Sequence, residues 1–245
     1  MLYLDALKKS ALISLILFLC SKNLFAQLSY NYTSYSVGIG AGVVRADADL
    51  AQHITKPAIF GTFSYNYSPY ITFTGELQAG KLAGGNPNTD KDTRAFINNY
   101  KAAIVYGDVQ AGEFINYRYS SFLNIVKNIY AGVGVGAIHN SMAFVQRTSL
   151  SNPGYVFPGR DASTEIMVPL RLGYEFKIYN FYREPYIRLN LTYQTNLVYG
   201  EGLDGYNDPP QMFRNNHVDR YTFISVGVKY SFGTPVSYKK PIAKY

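Results

Sequence analysis

The residues best placed for chemistry are His139 and Ser141 in "IHNS". Two apart on an extended chain they share a face, and a serine beside a histidine is the start of a nucleophilic pair in which the imidazole takes the hydroxyl proton. Such a pair needs a third group to orient the ring. The nearest carboxylate on the next predicted strand, Glu165, has the opposite parity and reaches neither residue. His139 and Ser141 are therefore read as a polar rim where a strand ends, and no catalytic residue is assigned. His53 and His217, with Asp47, Asp49, Asp208 and Asp219 near them in sequence, lack a diagnostic zinc spacing. "GGNPNTD" and "GLDGYNDPP" are rich in oxygen ligands without the twelve-residue calcium-loop spacing, and "GVGVG" at 132–136 has no helix after it to hold a phosphate. No metal and no cofactor is expected.

The other ionisable residues draw attention by parity. In "YIRLNLTYQTNL", residues 186–197, Ile187, Leu189, Leu191, Tyr193 and Leu197 alternate with Arg188, Asn190, Thr192, Gln194 and Asn196. Alternation of this length marks a β-strand with unlike faces. The same pattern opposes Ile166, Val168, Leu170 and Leu172 to Glu165, Arg171, Glu175 and Lys177. It opposes Ile71, Phe73 and Leu77 to Glu76, and Ile224, Val226, Val228 and Tyr230 to Lys229. Glu76, Glu165, Arg171, Glu175, Arg188 and Lys229 are thus expected to form one polar network on the shared, less apolar face.

Eight strands are predicted, near 35–45, 57–67, 70–81, 100–114, 128–140, 164–177, 186–198 and 219–232, separated by clusters of Gly, Pro, Asn and Asp. Strand 100–114 alternates poorly, and a bulge is expected in it. The links after strands one, three, five and seven are longer and more polar than those after two, four and six, as in an up-and-down barrel whose long loops emerge at one end. "SSFLNIVKN" at 120–128 is read as a short helix in one of the shorter links.

The chain opens with Lys8 and Lys9, an apolar run from Ala11 to Cys20 and "LFAQ", the layout of a signal peptide cleaved after Ala26. The run is far shorter than the roughly 20 residues of a spanning helix. Residues 1–26 are read as leader, 27–232 as barrel and 233–245 as a C-terminal tail facing the periplasm. Losing the leader removes the only cysteine, and the net charge falls from +7 to +5. Neither disulfides nor thiolate chemistry remain. The residual charge is scattered, without the basic block that nucleic-acid binding requires, so no nucleic-acid partner is expected.

Orientation follows from cost. An arginine or lysine facing lipid at mid-bilayer costs about 2 to 4 kcal/mol, so in a membrane barrel Arg171, Arg188 and Lys229 must point inward. A soluble barrel would turn the apolar faces in, which is physically possible, but it has no general reason for the loop asymmetry. Gly38, Gly40 and Gly42 on strand one, and Gly132, Gly134 and Gly136 on strand five, lie on opposite walls and make room for long inward side chains.

With its leader, eight alternating strands, unequal links and final "VGVKYSF", the chain resembles the small outer-membrane β-barrel proteins of Gram-negative bacteria, of the OmpA transmembrane-domain and OmpX type. The resemblance implies an all-β, eight-stranded antiparallel up-and-down transmembrane barrel in the outer membrane. It also implies lipid and lipopolysaccharide as surroundings, envelope proteins as partners, and a non-enzymatic role through long external loops. The alternatives are a barrel subunit of a PorG-like secretion machine, a small pore, and an enzyme similar to the lipid A deacylases, which would use His139 and Ser141.

Overall fold

In a computed structural model of the chain, residues 30–47, 52–86, 88, 94–117, 120–149, 154–200, 202–207 and 219–238 are described. The leader, His217, Asp49, Asp208 and the end of the tail lie outside them. Eight strands, β1 (Tyr30–Asp47), β2 (His53–Asn66), β3 (Ile71–Gly85), β4 (Ala95–Gln110), β5 (Ile129–Val145), β6 (Ala162–Tyr179), β7 (Pro185–Tyr199) and β8 (Arg220–Tyr238), close into one barrel. Every neighbouring pair is antiparallel, and β8 pairs back onto β1 from Tyr30↔Tyr238 to Asp47↔Arg220. Closure leaves no strand edge, so the ladder groups pair internally.

The parity read from sequence is the parity of the fold. Ile39, Leu77 and Ile166 point outward and are 74%, 69% and 67% exposed, whereas Glu76 and Arg188 point inward and are 4% and 1% exposed. Along β7 the outward face from Ile187 to Leu197, apolar but for Thr195, rises, at the usual strand pitch and tilt, by about 25 Å, the height of the apolar band of membrane barrels.

Three expectations need correction. First, the strands run further than alternation shows: β3 continues to Gly85, β5 to Val145, and β8 passes Phe232 to Tyr238, taking part of what was read as tail. Backbone pairing continues past the apolar band, where no two-faced pattern is needed. Second, the difference in link length shrinks for the same reason. The links at one end span 5, 9, 16 and 20 residues and those at the other 4, 18 and 5. The 18-residue link holds a 3₁₀ turn and helix α1 (Ser121–Val126), whose N-cap Ser120 Oγ accepts from Leu123 N. Third, β4 does alternate: from Tyr100 to Gln110 its even-numbered side chains are buried, and the register shift lies between Ile97 and Asn98. Its inward face carries Tyr100, Ala102, Ile104 and Tyr106, so both faces read as apolar in sequence.

Candidate functional site: a filled lumen under interlocked loops

The interior has two zones. Toward the four-link end it is an apolar core in which Val44, Leu82, Phe96, Tyr100, Ile138, Met167, Tyr221 and Phe223 are buried together. Toward the end that holds Tyr30 and Tyr238 it is ionic. The glycine walls make both zones possible: a side chain on Gly40 would run into Phe60, and one on Gly132 into Asp108.

Four of the six predicted network residues take part in ion pairs inside the barrel, in two groups. Arg171 Nε donates to Asp108 Oδ1 at 3.1 Å, and its Nη1 lies 3.6 Å from Glu76 Oε2. Its guanidinium lies 3.6 Å over the Tyr106 ring, and that phenol donates to Glu76 at 2.8 Å. Gln194 accepts a short hydrogen bond from Arg171 Nη1. In the second group Glu175 Oε1 lies 3.6 Å from Lys177 Nζ and 3.9 Å from Arg188 Nη1, and accepts from Gln110 Nε2 at 3.0 Å. Lys229 lies beside Arg188 across the β7–β8 ladder, with its stem over Gly38.

Glu165 is not part of either group. It faces inward as expected but sits at the four-link rim, where Asn140 Nδ2 approaches its Oε2 at 3.4 Å. Strand parity gives a side chain's face but not its depth, and here depth separates Glu165 from the other carboxylates. Asp108 and Lys177 are members that the expected network lacks; the mixed pattern of β4 hid Asp108.

Both ends of the lumen are closed. Below the ionic zone, the buried Tyr70 donates from its hydroxyl to Tyr117 at 2.5 Å and packs edge-on against Tyr238, and Lys177 Nζ reaches Pro69 O at 2.7 Å. Above the apolar zone, fully buried Leu203 offers its carbonyl to Asn98 Nδ2 at 2.9 Å. The links after β5 and β7 interlock there. Tyr206 packs edge-on against Phe157, and the Arg94 guanidinium stacks 4.9 and 5.3 Å from those Phe157 and Tyr206 rings. The Tyr206 hydroxyl contacts the carbonyls of Ala95 and Gln146 at 3.1 and 3.0 Å. Burial pushes that phenol's pKa up to about 12.

His139 and Ser141 face outward at the upper margin of the apolar band, on β5. The ring of His139 contacts Thr164 Oγ1 at 2.9 Å through Nδ1, and Lys101 is its neighbour on β4. Thr164 cannot supply the anion that would stabilise an imidazolium. His53 opens β2, and its Nδ1 contacts Ala46 O at 2.9 Å. Among the described residues, no three His, Cys, Asp or Glu side chains converge as a metal site.

No family model matches this sequence, and no curated protein matches it. Among solved structures the chain is similar to neisserial surface protein A, at 14% identity over 82% of this chain and 98% of that one, with a TM-score of 0.45. It is similar to Ail, the attachment invasion locus protein of Yersinia pestis, at 12% identity over 81% and 97%, TM-score 0.43. It is also similar to the outer membrane protein OprG of Pseudomonas aeruginosa, at 12% identity over 82% and 98%, TM-score 0.40. At these identities the likeness is one of fold.

Proposed function

We propose that this chain is a Gram-negative outer-membrane β-barrel without enzymatic activity, whose interlocked loops are its working surface. The observation that carries the reading is the polarity of the wall: an apolar exterior band about 25 Å high surrounds a lumen one zone of which is filled by buried ion pairs. Water would leave Ile39, Leu77 and Ile166 exposed at great cost, whereas lipid and lipopolysaccharide cover them. The four-link end faces outward and the end with Tyr30 and Tyr238 faces the periplasm. The two closures argue against a pore, and the surroundings of His139 argue against a serine nucleophile.

Preorganised loops lower the ordering cost of binding, which suits recognition of a partner. The test replaces the segment from Arg147 to Arg160 with a short Gly/Ser turn while the barrel still inserts. Deletion and loop-replaced strains should share one defect in surface attachment. A deletion strain with normal attachment and envelope integrity, or a loop-replaced strain indistinguishable from wild type, would reject the reading.

A second reading, a barrel subunit of a larger envelope machine of the PorG-like kind, is favoured by one feature. The periplasmic links expose Phe114, Phe122, Phe181 and Tyr182, and Phe181 is 95% exposed. A stoichiometric partner retained in mild detergent by wild type and lost on Phe122→Ser with Phe181→Ser would support it.

A further inference from the structure

The ionic half of the lumen holds more cations than it can pair. Arg171 is matched by Glu76 and Asp108, but below it Lys177, Arg188 and Lys229 sit side by side on β6, β7 and β8, and Glu175 is the carboxylate among them. The lower group is two positive charges in excess, and because Arg171 has two carboxylates for its one charge, the closed interior as a whole is left one positive charge in excess. Glu113 and Lys127, in the link beneath, bring one charge of each sign.

The side chain of Arg188 sharpens the point. From β7 it reaches Asn66 on β2 with Nη1, at 2.9 Å, and so lies across the inward faces of β8 and β1. It is 1% exposed, yet its Nε and Nη2 have no hydrogen-bond partner among the described residues. The wall that it crosses carries Ser231 and Ser36, which are paired across the β8–β1 ladder, and Thr33. Their hydroxyls are buried and have no partner among the described residues either. Unpaired buried donors are costly, and an unneutralised buried cation more so. Water would satisfy the hydroxyls but leave the charge.

We propose that this chamber encloses a small inorganic anion, bound by Arg188 Nε and Nη2 and by Lys229, with the hydroxyls of Ser36 and Ser231 donating to it. The anion completes the charge balance of the plug and enters as the barrel closes, since Tyr70 seals the periplasmic mouth.

The test refolds the full barrel from urea into uncharged detergent in sodium chloride, sodium phosphate or sodium gluconate of equal ionic strength. Gluconate serves as the bulky, weakly coordinating reference anion. The apparent melting temperature should rise with chloride or phosphate by about 3 °C per tenfold concentration relative to gluconate. Lys229→Gln should flatten that dependence, and the exposed Lys101→Gln should keep it. Ser36→Asp supplies a built-in anion; it should melt higher than wild type in gluconate and respond to neither small anion. A wild-type barrel that melts alike in all three salts would overturn the proposal. So would an unaltered dependence in Ser36→Asp, which would place the anion elsewhere.

Discussion

Arg171 shows at single-residue scale how the plug works. It is held by two carboxylates, one aromatic face and one amide, supplied by β3, β4 and its neighbour β7. Removing one member of a buried ion pair costs about 3 to 5 kcal/mol, chiefly because the partner's charge is stranded. Arg171→Leu should therefore lower the urea midpoint by about that much free energy, and adding Glu76→Leu with Asp108→Asn should restore most of it. Tyr206 offers the matching test at the loops. Its phenol ionises near 10 when the loop is undocked and near 12 when docked, so the docked form is favoured fully below pH 10 and loses that advantage as pH rises toward 12. Limited proteolysis of the loops should accelerate across that interval in wild type, whereas Tyr206→Phe should cleave faster at neutral pH with a flatter profile.

The glycine walls belong to the scale of the strand. Gly40 on β1 faces inward against Phe60, while Gly61 on β2 faces outward with nothing nearer than the Gly38 carbonyl at 4.0 Å. Gly40→Val should cost about 1 to 3 kcal/mol through overpacking, and Gly61→Val should be close to neutral, as read from the folded fraction in vesicles. These walls were legible in sequence because glycines two apart must share a face. Strands β6, β7 and β8 were legible for the same reason, since polar or ionic residues alternate with mostly apolar ones where one side meets lipid, with Met167, Tyr221 and Phe223 among the inward exceptions. Strand β4 was legible only as a strand: Tyr100 and Ile104 fill the apolar zone and Val105 meets the exterior, so neither face stands out. The extensions of β3 and β5 at one end and of β8 at the other escaped because pairing beyond the apolar band imposes no polarity. The interlock of Arg94, Phe157 and Tyr206 escaped because it joins links far apart in sequence, and no local period encodes such a contact.

At the scale of the whole molecule, one continuous ladder separates two media of opposite polarity. Register is held by both sides at once: a slip by one residue would send Arg171, Arg188 and Lys229 into lipid and Leu170, Leu189 and Val228 into the plug. That double penalty explains how the register is specified even along the ionic half of the lumen, below the buried apolar cluster, and it predicts that the cost of an added charge tracks depth and face. Val226 on β8 faces outward within the apolar band, and Thr222 faces the same way near its upper margin. Val226→Arg should destabilise the inserted barrel by about 2 to 4 kcal/mol and Thr222→Arg by about 0 to 1 kcal/mol, measured by urea unfolding in lipid vesicles. If the two substitutions cost the same in vesicles, or if Val226→Arg is harmless there, the exterior of the barrel does not meet hydrocarbon.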